Sequence, residues 1–208
     1  MDVSIDAMKQ RIIEKATSQL LSGGYDALNF SEIAKDLDIT RANIHHHFTN
    51  KEGLALDVLS IYEMRHAEFM TSLAIANPDN FPNFIAAMEQ AMIQMITESN
   101  GKCICMCTQI VGEANIPDQI KLTVQGYFDR ATTLFEELII ASQKKGTLTK
   151  DIKPKTLALM THTFLIGIIR TVIIGTNNTD YMKALPGMLT EWISHYQPIK
   201  NINEKGVN

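Results

Sequence analysis

Two short runs hold residue types that could do chemistry. One is His45-His46-His47, inside "ITRANIHHHFTN", which contains half of the six histidines of the chain. The other is "GKCICMC", where all three cysteines, Cys103, Cys105 and Cys107, fall within five residues. Imidazoles ligate metals, move protons and pair with phosphates; thiolates ligate soft metals and attack electrophiles. Spacing decides among these. Side chains at successive positions fan out in 100° steps around a helix, so the three histidines cannot converge on one ion at about 2 Å. On a helix Cys103 and Cys107 share a face and Cys105 points away. In an extended segment all three share a face and could take Cu(I) or zinc, but the spacing is a weak signal and no fourth ligand is evident. Neither a metal nor a cofactor is therefore expected. Cys103 follows Asn100-Gly101 and Lys102, which set it near a helix start beside a cation, so it is the expected reactive thiol. The plainer reading makes all three cysteines small core residues.

The elements that must position these residues are helical. The 208-residue chain is 45% hydrophobic and 20% charged, with net charge −4, so no global basic field is present. No basic n-region followed by an apolar stretch opens it, and three cysteines without secretory context point to the cytoplasm. Leu157–Gly175 is nearly long enough to span a bilayer, but His162 and Arg170 argue for a helix buried in protein. No run alternates as a strand. Helical periodicity predicts Ala7–Ser22, a short helix capped by Asn29, another from Thr40 to Phe48, and a long one capped by Asn50. It further predicts Phe81–Ser99, a segment around Cys103–Asn115, Asp118–Lys145, Pro154–Gly175 and Asp180–Tyr196. Glu32 should reach back to the Asn29 N–H to complete a capping box.

Within the third helix, Ile44 and Phe48 form the buried side, with His47 half-buried beside them. Arg41, Ala42, Asn43, His45 and His46 then form an outward face. Two short helices joined by a tight turn, the second with a polar outer face, are the sequence form of a helix-turn-helix. Charge opposes this reading. Residues 1–55 carry six Lys/Arg and eight Asp/Glu, whereas a DNA-binding module is usually basic.

The pieces "RIIEKATSQLLSGGYDAL" and "NFSEIAKDLDITRANIHHHFTNKEGL", with their spacing, resemble the N-terminal domain of the TetR family of transcriptional regulators over residues 9–55. The resemblance implies an all-α fold of about nine helices. A three-helix helix-turn-helix domain, residues 1–52, would join a larger effector-binding and dimerisation domain, residues 53–200. Residues 201–208 are expected to be a disordered tail. By position, the resemblance implies that Thr40 caps the recognition helix and meets a phosphate. Arg41, Ala42 and Asn43 would reach base edges, and His45 (usually tyrosine in the family) and His46 would lie near the DNA backbone. Lys51 resembles the family's phosphate-binding lysine, and a lysine at a helix N-terminus is independently an anion site. Asp38 stands where the family's turn usually has glycine. The family also includes regulators with a glycine–cysteine start to the sixth helix and thiol-based sensing.

The resemblance implies a homodimer through the last two long helices and an operator of double-stranded DNA. Gly167 and Gly175 would permit close approach, and Pro186 should bend the last helix or lie near its start. Met88, Met92 and Met95 recur at near-helical spacing. With Phe128, Met160, His162 and Phe164 they could line an adaptable cavity for a small apolar effector, although plain core packing explains any one of them. No phosphate loop, nucleophile–base pair or carboxylate pair stands out, so no enzymatic activity is expected. The expected function is a repressor released from a near-palindromic operator by that effector. The alternatives are a thiol-based or soft-metal sensor of the same architecture, an effector-free DNA-binding protein, or a helical enzyme.

Overall fold

The computed structural model describes residues 7–99, 105–175 and 183–198. The tail expected at 201–208, Cys103 and the start of the helix expected at Asp180 lie outside the described residues. Nine helices are delimited among those described: α1 (Ala7–Gly23), α2 (Phe30–Leu37), α3 (Arg41–His47), α4 (Lys51–Ala76), α5 (Phe81–Glu98), α6 (Met106–Ile110), α7 (Asp118–Lys145), α8 (Pro154–Gly175) and α9 (Met188–Ser194). The protein is all-α, as its periodicity predicts, with no strand among the described residues.

The first three helices are held by caps and by one small core. Asn29 Oδ1 accepts from the Ser31 and Glu32 N–H groups at the head of α2. The second half of the expected capping box is absent. Gln19 of α1 supplies the acceptor for the Asn29 N–H (2.9 Å) and also donates to Glu32 (3.2 Å), so a neighbouring helix replaces the local bond. Asp38 ends α2 in the left-handed region (φ 54°), and its N–H closes onto Lys35. Thr40 caps α3 by accepting the Asn43 N–H at 3.3 Å. Ile12, Leu20, Ile33, Ile44, Phe48 and Leu54, from α1 to α4, are buried together. Full burial of such a side chain contributes about 1.5–3 kcal/mol, which is how seven-residue α3 stays folded.

The long helices α4, α5, α7 and α8 pack around a second centre in which Phe81, Phe84 and Phe135 meet with ring centroids 5.9 Å apart. Of the segment expected at Cys103–Asn115, the described residues 105–115 are mostly not helical. Only the five residues of α6 are, and they lie against α1, α7 and α8. The last helix is shorter than expected. Pro186 precedes Gly187, whose φ of 96° sets the start of α9. Gly187 offers no side-chain cap; instead buried Glu89 of α5 accepts from the Leu189 N–H (2.8 Å) and the Thr190 hydroxyl (2.5 Å). Among the described residues no helix is long and apolar enough to cross a membrane.

Candidate functional site

The outward face of α3 is as its sequence dictates. Ile44 is fully buried and Phe48 nearly so, His47 is half-buried, and Thr40, Arg41, Ala42, Asn43, His45 and His46 are exposed. Two further contacts fix this face. The His45 ring lies 5.2 Å from Phe30 of α2, and the Thr40 hydroxyl donates to Asn43 Oδ1 at 3.0 Å. Lys51 stands at the first turn of α4, capped by Asn50, with its ammonium 4.6 Å from the Tyr25 ring centre and donating to the Asp26 carbonyl at 3.3 Å. Exposed Arg41 and partly covered Lys51 thus flank a helix whose donors and acceptors face solvent, which is chemistry suited to a polyanion with readable edges. The acidic balance of the N-terminal segment persists, and two of its lysines are held in ion pairs. Lys9 and Lys15 bind Asp57 and Asp36 at 2.9 and 3.1 Å.

A separate cavity of about 720 Å³, open mouth included, lies between α4, α5, α7 and α8. Met88, Met92, Met95, Phe128 and His162 line it. Met160 and Phe164 do not. Met160 is 40% exposed on the outer side of α8, and Phe164 packs against Trp192 of α9 at 5.4 Å. A one-position rotation on α8 separates the two sets: His162, Leu165, Ile166 and Ile169 face the cavity. Sequence reasoning missed the wall supplied by α4, where Tyr62, His66, Phe69 and Met70 recur at helical spacing, and Tyr127 of α7.

The polar end of this cavity is built from hydroxyls, imidazoles and a thiol. Its described lining contains no Asp, Glu, Lys or Arg. Burial, with a further contribution from His162, lowers the His66 pKa to about 4. Burial also lowers the His162 pKa, with the Asp129 carboxylate opposing, while Thr132 Oγ1 lies 2.7 Å from its Nδ1. Burial pushes the Tyr62 and Tyr127 hydroxyls upward, so they remain donors. Cys105 lines the cavity, and Cys107 is buried nearby. The expected geometry of the cysteines changes with their segment. Cys105 is extended (φ −149°) and occupies the position before α6, the place expected for Cys103. Its sulfur lies 3.8 Å from the Tyr127 hydroxyl. A hydrogen bond from the Cys107 thiol favours the Cys105 thiolate, burial opposes it, and bonds from the Thr108 N–H and the two tyrosines add to the lowering. Giving that bond, together with burial, raises the Cys107 thiol. No group of three potential metal ligands occurs among the described residues.

Cavity and N-terminal helices are joined through α6. The Glu113 carboxylate, just beyond α6, accepts the Tyr25 and Asp26 N–H groups at 2.7 and 2.9 Å. Those residues in turn hold Lys51. On the other side, Arg170 of α8 donates to the Thr108 carbonyl at 3.0 Å and to Gln109 Oε1 at 3.2 Å. Burial raises the Glu113 pKa, against the lowering effect of the two N–H bonds.

Comparison with known proteins agrees with the fold and the helical face. Residues 12–58 match the family model described as bacterial regulatory proteins, tetR family. The IcaR negative transcriptional regulator of the Staphylococcus aureus (strain Newman) biofilm operon icaADBC is 25% identical over 149 residues, 69% of this chain and 75% of that protein. A TetR-family transcriptional regulator from Agrobacterium tumefaciens superposes with a TM-score of 0.79 at 19% identity, covering 91% of this chain and 97% of the other. A cysteine mutant of the regulator CifR, crystallised with double-stranded operator DNA, superposes with a TM-score of 0.73 at 16% identity over 95% and 100% of the two chains. Residues 12–58 thus carry a helix-turn-helix of the tetR family type, and the whole chain shares the fold of tetR-family regulators of transcription.

Proposed function

We propose that this regulator is a cytoplasmic, homodimeric repressor that leaves a near-palindromic operator when a small apolar effector fills the α4–α5–α7–α8 cavity. The observation that carries the reading is the bonded path between the two sites. Cavity residues Cys105 and Thr108 flank the start of α6, Glu113 follows it, and Glu113 holds the loop that holds Lys51. In this reading residues 1–52 form the DNA-binding domain and 53–200 the effector and dimer domain. Arg41 pairs with guanine O6/N7 and Asn43 with adenine, its amide turning away from Thr40; Ala42 meets a base edge. Thr40, His45, His46 and Lys51 meet the backbone. Repression is the role of IcaR, a negative transcriptional regulator, and of the DhaR repressor of Mycobacterium sp. (strain GP1), 19% identical over 151 residues, and these relatives support it here.

A second copy suits the outer side of α8. Leu159 and Met160 are 50% and 40% exposed there, and a Cβ on Gly167 would meet nothing of its own chain within 4 Å. Two subunits would present two α3 helices to half-sites about one or more helical turns apart. Footprinting on DNA upstream of the gene, with sedimentation of the free protein, tests the reading. A protected near-palindrome and a dimer are expected. A monomer without protection would overturn it. The thiol-sensor alternative moves from Cys103 to Cys105, because Cys105 is the described thiol that lines the cavity.

A further inference from the structure

One imidazole of the cavity has its proton placed by its neighbours. The Thr132 hydroxyl lies 2.9 Å from the Phe128 carbonyl, one turn earlier on α7, and 2.7 Å from His162 Nδ1 on α8. A hydroxyl carries one proton and a carbonyl can only accept. Both contacts are hydrogen bonds only if Thr132 donates to the carbonyl and accepts from an Nδ1–H. Burial lowers the His162 pKa below its ordinary value, so the ring is predominantly neutral at pH 7. Its other nitrogen, Nε2, is then a bare acceptor. Among the described residues no hydrogen bond reaches Nε2, yet no side-chain nitrogen or oxygen is both buried and without a partner. Nε2 is therefore reachable from the cavity that His162 lines. The Phe128 and Phe135 rings stand edge-on to the imidazole, with centroids 5.3 and 5.8 Å away. Met88 and Met92 of α5 form an adaptable wall. The described lining contains no Asp, Glu, Lys or Arg, so an ion would shed its water without gaining a counter-charge.

We propose that the cavity takes an uncharged aromatic hydroxyl compound, a phenol or naphthol, whose O–H donates to His162 Nε2 while its ring lies against the methionine and phenylalanine walls. The inference rests on the reading of the cavity as the effector site, and it makes His162 the residue that selects among apolar molecules. A phenolic O–H is a stronger donor than an alkanol's, and a neutral imidazole is a good acceptor. An ether or ketone would set its oxygen lone pair against that of Nε2, leaving a desolvated acceptor unpaired, which costs more than a missing bond. Thr132 does not need to touch the ligand. It is a positioning residue that decides which imidazole nitrogen holds the proton. His162 lies about two turns before Arg170 on α8. Arg170 holds α6, which the Glu113 latch follows, so a ligand anchored on His162 bears on the helix that grips both.

The test uses the full-length protein and three probes of similar shape: 2-naphthol, 2-methoxynaphthalene and 2-naphthoate. Calorimetry at pH 7 should find 2-naphthol bound at least about tenfold more tightly than 2-methoxynaphthalene, which keeps the ring and the oxygen but has no proton to give. The charged 2-naphthoate should also bind at least about tenfold more weakly than 2-naphthol. His162→Phe should hold 2-naphthol and 2-methoxynaphthalene within about twofold of each other. Thr132→Val lets the imidazole proton move to Nε2, so it should shrink the preference and tighten 2-methoxynaphthalene. Nitrogen-15 NMR of the free wild-type protein should place the His162 proton on Nδ1, and this needs no variant and no ligand. A proton on Nε2, equal or tighter binding of either other probe, a preference that survives in His162→Phe, or no binding of any probe would overturn the proposal. Selective binding of 2-naphthol that leaves operator occupancy unchanged would sink the effector reading and leave the site standing. Operator release by 2-methoxynaphthalene as readily as by 2-naphthol would do the reverse.

Discussion

Glu113 and Gly24 form a contact whose strength can be isolated by a double-mutant cycle. Gly24 ends α1 in the left-handed region (φ 70°), and a Cβ built there would lie 1.5 Å from Glu113 Oε1. Gly24→Ala must therefore push the carboxylate off the Tyr25 and Asp26 N–H groups, which it holds at 2.7 and 2.9 Å. Hydrogen bonds to a charged group are worth about 1.5–3 kcal/mol each when buried, but Asp26 is exposed, so about 1–3 kcal/mol for the pair is the working figure. Alanine in the left-handed region adds about 1–2 kcal/mol. Glu113→Ala should thus cost about 1–3 kcal/mol and Gly24→Ala about 2–5, while the double variant should cost little more than Gly24→Ala alone. Urea unfolding of the four proteins at pH 7 measures this. Additivity within about 0.5 kcal/mol would show that the two residues do not act through one contact and would refute the reasoning. The same four proteins report on coupling. If the latch carries the signal, Glu113→Ala should bind operator with weaker dependence on the effector.

The remaining predictions concern single positions. Asp38→Gly should stabilise the protein by about 0.5–1 kcal/mol, because Asp38 is the one non-glycine residue with positive φ among those described; a lower urea midpoint would count against this. Thr40→Ala removes the cap of α3 and should cost about 1 kcal/mol, measured in the same way. Arg41→Ala should cost about 1–3 kcal/mol of operator affinity and relax the preference at one base pair, and Lys51→Ala should weaken all sequences alike and flatten the salt dependence in fluorescence titrations. His66 has a folded pKa of about 4, below the ordinary 6.5, so unfolding takes up a proton between those values. Stability present above pH 6.5 is then lost as pH falls towards 4, on the order of 2–3 kcal/mol for this group, and His66→Phe should flatten that part of the profile.

Most of the fold was legible because the helices announce their ends. Asn29, Thr40 and Asn50 each cap where the sequence places them, and Asp118–Lys145 and Pro154–Gly175 match their periodic stretches to the residue. Legibility failed where a distant residue replaced a local one. Gln19 took the bond expected of Glu32, and Glu89 caps a helix a hundred positions away; no local pattern encodes either. On α8 the period was right but the phase was not, which put Met160 and Phe164 on the cavity when Met160 faces outward and Phe164 packs against α9. A helix apolar on most sides leaves its phase undetermined until its neighbours are placed. The α4 wall was readable in principle, since Tyr62, His66 and Met70 follow a four-residue step, but nothing local distinguishes a cavity face from a core face.

The five residues of α6 explain how so short an element can matter to both sites. It is too short to be stable by its own hydrogen bonds, since isolated helices below about 12–15 residues are marginal. Its position is therefore set from outside: by Cys105 and Thr108 against the cavity, by Arg170 from α8, and through Glu113 against the end of α1. An element held by three neighbours and little by itself moves when one of them changes. Arg170 sits on the helix whose outer face is proposed to meet the second subunit, so a shift of α6 can be felt at the dimer face as well as at Lys51. An operator-bound dimer is sensitive to the separation of its two recognition helices, which must match half-sites on a helical repeat. A displacement of α6 too small to unfold anything can then cost affinity at both half-sites at once. That places the sensitivity of the regulator in the α6 segment, between a cavity lined without Asp, Glu, Lys or Arg and a loop that holds a lysine.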